Sequence, residues 1–152
     1  MAIAGKAGKM AERYRQRFRM SIEHKLQLTD LLSLAERSRA VDQPCTCSID
    51  AYRGWTRVPA DFPESQMRVV GTLVEDPYGD PTFAEYHPHG TEYWSALAPV
   101  ALRHFPYNRC SVLQCSVCGR ACLKYIEAGG YYVEPRIRAL DPTLIVDIAL
   151  DE

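Results

Sequence analysis

Apolar residues at Ile22, Leu26, Leu28, Leu31, Leu32 and Ala35 alternate with polar ones in a mixed i, i+3, i+4 pattern. That spacing predicts helix over residues 10–40. Ser21 and Thr29 are both suitable N-caps, so the stretch reads as one helix or a helical pair. Residues 41–63 hold Pro44, Gly54, Pro59 and Pro63 and predict irregular chain with short extended pieces. Within them Trp55 and Tyr52 read as core anchors. Val69, Val70 and Val74 mark a strand over residues 67–74, closed by the turn Asp76-Pro77-Tyr78-Gly79-Asp80-Pro81.

Residues 82–86 read as another short strand. Residues 92–102 are too rich in Ala and Leu to specify a strand, and a short helix over 99–104 competes there. The clearest hairpin pairs residues 123–127 with 131–137 across Ala128-Gly129-Gly130. Residues 143–150 fit a last strand or a helix. Together these elements predict an α+β fold, with an N-terminal helix or helical pair packed on a small antiparallel sheet that carries a metal-knuckle hairpin.

The chain of 152 residues is long enough for one ordinary domain with its own core. At 47% hydrophobic and 24% charged residues it matches globular composition, which argues against wholesale disorder. No apolar run approaches a bilayer span, and the N-terminus lacks the apolar core of a secretory signal. The expectation is a cytoplasmic protein without membrane contact.

Charge is uneven. Residues 1–19 carry Lys6, Lys9, Arg13, Arg15, Arg17 and Arg19 against Glu12, so the rest of the chain is acidic although the total is only −1. We therefore separate a basic arm, residues 1–19, from a single α+β domain, residues 20–152. A basic arm is compatible with nucleic-acid contact, and an Arg-rich start also resembles a transit peptide. The acidic body suits a basic partner better than a nucleic acid.

Six cysteines in a chain without secretory features point to metal or redox chemistry rather than to a disulfide framework. Cys115-Ser116-Val117-Cys118-Gly119-Arg120 reads as a knuckle that turns two sulfurs to one side, with Gly119 free to take positive φ. Structural zinc takes four ligands, so two more are needed. Cys45 and Cys47, in Pro44-Cys45-Thr46-Cys47, form a second compact pair and are the preferred completion. Cys110, helped by His104, is the alternative ligand, whereas Cys122 reads as a buried apolar side chain. The spacing Cys110-x4-Cys115-x2-Cys118 matches a plant-type iron–sulfur loop, but that pattern needs a later cysteine and none follows Cys122.

His87 and His89, two residues apart and near Glu85 and Glu92, are a candidate metal pair for hydrolysis, although Pro88 and Gly90 favour a surface loop. Tyr125, Tyr131 and Tyr132, with Arg136 and Arg138, offer a candidate base-stacking surface, although such a group is more often a mixture of core and rim side chains and the acidic body argues against nucleic acid. No phosphate-binding glycine loop or nucleophile elbow is present.

Pro81-Thr82-Phe83-Ala84-Glu85-Tyr86-His87-Pro88, Tyr93-Trp94-Ser95, Phe105-Pro106-Tyr107-Asn108-Arg109-Cys110 and Gly129-Gly130-Tyr131-Tyr132-Val133 carry a resemblance over residues 81–141. This stretch resembles a family of small proteobacterial proteins, some similar to immunity proteins encoded beside type VI secretion toxins. The resemblance implies a non-enzymatic protein that binds and neutralises one cognate toxin, and it brings no catalytic residues. Two other functions remain open: a zinc-ribbon-like adapter that holds nucleic acid through the basic arm, and a hydrolase using His87 and His89.

Overall fold

The computed structural model describes residues 24–151, so the basic arm and the expected helix before residue 24 lie outside the described residues. Helix α1 spans Leu28–Arg39 and buries Leu31, Leu34, Ala35 and Ser38, a single i, i+3, i+4, i+7 stripe. Asp30 in its first turn and Arg37 and Arg39 in its last complement the helix dipole.

The helix starts later than the apolar spacing predicts, and Thr29 lies inside it rather than at its cap. Residues 24–26 are extended because the sheet edge captures them. Leu26 N–H donates to Thr72 O at 3.0 Å, and Thr72 N–H donates to His24 O at 3.0 Å. Gly71 permits this approach, since a Cβ there would stand 2.5 Å from Leu26 Cγ.

The main sheet has five antiparallel strands in the order β1-β6-β5-β4-β2. They are β1 (Thr56–Arg57), β2 (Met67–Thr72), β4 (Ser111–Cys115), β5 (Ala121–Ala128) and β6 (Val133–Ala139). The expected hairpin is β5 and β6, paired from Cys122↔Ala139 to Ala128↔Val133. A bulge between Val69 and Gly71 interrupts the β2–β4 register. Two further short strands, β3 (Val100–Ala101) and β7 (Ile145–Val146), pair in parallel as a separate ribbon. Residues 82–86 form no strand and residues 99–104 no helix. The fold is thus α+β, with one α-helix among the described residues. No helix among them is long and apolar enough to cross a membrane.

Strand alternation sends side chains to two buried faces. Val112, Ala121, Leu123 and Tyr125 join Leu31, Leu34 and Ala35 of the helix, together with Trp55 and Tyr107. Leu113, Cys115, Cys122 and Ile137 point the other way and meet Cys47, Ile49 and Phe62. The second face is covered not by an α-helix but by the proline-rich segment between α1 and β2. Within that segment only β1 joins the sheet by strand pairing.

Arg138 supplies part of the hold from the helix side. Its side chain is fully buried on β6. Nε donates to Arg53 O at 2.9 Å, while Nη2 donates to Ala98 O at 2.7 Å and Ala96 O at 3.2 Å. Nη1 donates to the Tyr107 hydroxyl, which also accepts from Trp55 Nε1 at 3.3 Å. One guanidinium therefore ties two loops to the sheet.

Candidate metal centre

The knuckle is the turn between β4 and β5. Strand β4 delivers Cys115 at its last residue, and Gln114↔Ala121 is the last pair before the chain reverses. Cys115 N–H donates to Arg120 O at 2.8 Å, and Gly119 N–H donates back to Cys115 O at 2.9 Å. Gly119 has φ +89°, which a side chain would oppose. The turn aims Arg120 N–H at Cys118 Sγ, 3.4 Å away.

The second pair arrives from the segment after α1. The helix end is pinned beside the knuckle: Ala121 N–H donates to Ser38 Oγ at 2.8 Å, and Arg120 Nη2 donates to Val41 O at 3.2 Å. From there a short run reaches Cys45 and Cys47, where a turn closes with Ser48 N–H on Cys45 O at 3.3 Å and Ser48 in the left-handed region at φ 54°. Gln66 holds the two pieces together. Its carbonyl accepts from Ser116 N–H and Ser116 Oγ, both at 2.8 Å, and its Nε2 donates to Thr46 Oγ1 at 3.3 Å.

The sulfurs of Cys45, Cys47, Cys115 and Cys118 all lie within 4.8 Å of one another. Cys45 Sγ and Cys115 Sγ are 3.8 Å apart, and Cys47 Sγ and Cys118 Sγ 3.6 Å. A tetrahedron of sulfurs around a zinc ion at ~2.3 Å has edges of ~3.8 Å. The separations therefore match a metal-centred tetrahedron and are far too long for a sulfur–sulfur bond. Cys47 and Cys115 are buried, whereas Cys45 and Cys118 are half-buried. The four cysteines can hold a metal ion.

Electrostatics favour a cation here. Burial pushes the Cys47 thiol up to about 12 and also raises Cys115. Cys45, at the rim, is lowered to about 7, first by the backbone N–H of Cys47. The protein alone thus favours the Cys45 thiolate and resists those of Cys47 and Cys115, and a divalent cation would supply the missing positive charge. Arg120 stands beside the cluster with only 6% of its surface exposed. Burial works against its charge, but Asp50 and then Cys118 and Cys47 outweigh it and raise its pKa.

Cys110 does not belong to this cluster. It lies five residues before Cys115, and odd spacing on an extended chain sends it to the opposite face, where it packs in the helix-side core. Its thiol donates to Pro106 O at 3.4 Å. Cys122 is a fully buried apolar neighbour, as expected. His104 is buried and packs tilted against Tyr86 with centroids 5.5 Å apart.

His87 and His89 assemble no metal site with Glu85 or Glu92. The cysteine cluster is the one group of three or more such ligands among the described residues. His87 Nε2 bonds Glu85 Oε1 at 2.9 Å, and His89 sits in a turn at φ 58°. The aromatic surface is also dispersed. Tyr125 is buried and hydrogen-bonded to Tyr93 and Glu127, Arg138 is in the core, and only Tyr131 and Tyr132 are exposed in the hairpin loop. Gln66 and Arg120 were not evident as site residues from sequence, since neither carries a motif signal.

Comparison of the chain with protein-family models, curated proteins and solved structures finds no match.

Proposed function

We propose that this is a non-enzymatic binding protein whose fold is stapled by a structural zinc ion on Cys45, Cys47, Cys115 and Cys118. The observation that carries the metal assignment is the convergence of four sulfurs from two distant segments at tetrahedral-edge separations. Four protein ligands would fill a tetrahedral zinc shell and leave no position for water or substrate, which is a structural rather than a catalytic arrangement. The thiolates would bind and orient the ion, and Arg120 would offset part of the negative charge of a four-thiolate site.

Metal analysis of protein purified without chelators tests the assignment. About one zinc per chain is expected, lost in Cys115→Ser together with stability. Visible thiolate-to-iron absorption would assign the site to iron instead. A metal-free, fully reduced protein of unchanged stability would overturn the staple.

For the partner, we infer a cognate antibacterial toxin. The resemblance over residues 81–141 supports that class, and the excess of acid beyond residue 19 suits a basic toxin through electrostatic steering. Such a protein would act in the cytoplasm of the toxin-producing cell. The test is binding to the product of the adjacent gene: a one-to-one complex whose association slows as salt rises. Failure of that product to bind would remove the toxin reading and leave the metal assignment intact.

A further inference from the structure

The sulfurs of the cysteine cluster differ in exposure and in what they connect. Cys45 stands half-buried at the rim, whereas Cys47 and Cys115 are buried. Cys45 Sγ lies 3.8 Å from Cys115 Sγ, and Cys47 Sγ lies 3.6 Å from Cys118 Sγ. Both approaches join the proline-rich segment to the β4–β5 turn. The rim sulfur therefore has a buried sulfur of the other segment directly behind it. Cys110 and Cys122 are fully buried and do not belong to the cluster.

This arrangement suits bonds between the segments better than bonds within them. Gly119 N–H on Cys115 O at 2.9 Å and Cys115 N–H on Arg120 O at 2.8 Å fix the knuckle. Ser48 N–H on Cys45 O at 3.3 Å fixes the other turn. A disulfide needs sulfurs ~2.05 Å apart with a dihedral near ~90°. Each inter-segment pair must close by less than ~2 Å, a distance that side-chain rotation covers while both turns keep their hydrogen bonds. A bond inside either turn would have to reshape the turn that carries it.

We propose that the cluster is a peroxide-sensitive modification site, at which a hydroperoxide replaces the metal staple by two covalent ones, Cys45–Cys115 and Cys47–Cys118. On the four-thiolate reading proposed above, on which this step rests, Cys45 Sγ is the metal-held thiolate at the rim. It attacks a peroxide oxygen, the O–O bond breaks, hydroxide leaves and Cys45 becomes a sulfenic acid. The thiolate of Cys115 then attacks the Cys45 sulfur. The S–S bond forms, the S–O bond breaks and a second hydroxide leaves. Two thiolates have given two electrons to one peroxide. Cys47 and Cys118 remain as half a ligand set, which holds the ion weakly. A second peroxide oxidises that pair in the same way, with two more hydroxides as products. The segment stays tied to the turn throughout, so oxidation frees the metal without freeing the chain.

The test is stepwise addition of hydrogen peroxide to the full-length, zinc-loaded protein under argon. A chromophoric chelator too weak to strip the untreated protein reads zinc release. Alkylation, non-reducing digestion and mass spectrometry read the pairing. Zinc release is expected with about one peroxide per chain, together with Cys45–Cys115, and Cys47–Cys118 follows with about two. Cys110 and Cys122 stay thiols. The oxidised, metal-free chain unfolds at higher urea concentration than the reduced, metal-free chain. Cys45–Cys47 or Cys115–Cys118 as the main product, a sulfinic acid at Cys45 in place of a disulfide, zinc retained in about tenfold excess of peroxide, or no shift in urea would each overturn the proposal and leave the metal staple standing. A protein purified without metal would instead remove the staple, and the same mapping on that reduced chain then decides the pairing by itself.

Discussion

Arg138 is a guanidinium buried without a carboxylate partner among the described residues, and two substitutions separate what its charge does from what its hydrogen bonds do. Arg138→Met keeps much of the volume and removes both. The carbonyl of Ala98, a fully buried residue, then loses its donor, while Arg53 and Ala96 are exposed enough for water to reach their carbonyls. Tyr107 keeps its bond from Trp55. One buried orphan costs about 1–3 kcal/mol and the other two less, partly offset because no charge is buried any longer. The net loss expected is about 2 kcal/mol. Arg138→Lys keeps the buried charge but replaces a planar fork with a single ammonium, which cannot meet acceptors on both loops and on Tyr107. Its loss should be about 4 kcal/mol or more.

Urea unfolding measures both losses. The order expected is native, then Met, then Lys. The Lys variant carries a further signature. A buried ammonium has a folded pKa below its unfolded value, so the unfolded state binds more protons, and stability rises between pH 7 and 9. A Lys variant within about 1 kcal/mol of native, or one more stable than the Met variant, would refute the reasoning.

Arg120→Met removes a positive charge next to the sulfurs and should weaken metal retention about 10- to 100-fold in a chelator competition, with the four cysteines untouched. Metal binding should release protons, because Cys47 and Cys115 are raised by burial, and calorimetry in buffers of different ionisation enthalpy reads the number directly. Cys122 is pushed up to about 12 and Cys110 well above its ordinary value, both by burial. Above about pH 9 the unfolded thiols ionise while the folded ones do not, so stability falls with rising pH by roughly 1 kcal/mol per pH unit for each thiol. Replacing both by Ala should flatten that slope in pH-dependent denaturation. Gly54→Ala places a Cβ 2.6 Å from the backbone oxygen of Trp94, and a loss of about 2 kcal/mol or more is expected in thermal unfolding.

Much of the sheet was legible because β-branched runs bounded by turn residues report a strand directly. Val69 and Val70 marked β2, and the Gly129-Gly130 turn marked the β5–β6 hairpin. Cys115-x2-Cys118-Gly announced a knuckle because the turn geometry requires that glycine, and Pro44-Cys45-Thr46-Cys47 announced a second compact pair. What escaped is tertiary. The capture of residues 24–26 by the edge of β2 overrides a helical apolar spacing. Strand β4 was not anticipated, because Ser111–Cys115 is buried on both faces and shows no alternation of apolar and polar residues. The burial of Arg138 was not legible, since its acceptors come from Arg53, Ala96 and Ala98, which no local pattern connects to it. Residues 82–104 form mostly irregular chain and turns, so local propensity says little there.

The sulfurs of Cys45 and Cys115 meet across 70 residues of chain, whereas Cys115 and Cys118 share one turn. That asymmetry bears on the order of assembly. The β4–β5 turn can form early and present half of a ligand set, which holds metal weakly. The other half arrives only after a long loop has closed, at an entropic cost of about 4 kcal/mol. A metal ion that joins the halves then adds its stabilisation after the rate-limiting step. Refolding should proceed at nearly the same rate with or without metal, while unfolding slows sharply when metal is bound. On this view the ion acts chiefly on lifetime: it leaves the chain to find its fold unaided and then keeps the proline-rich segment from coming loose.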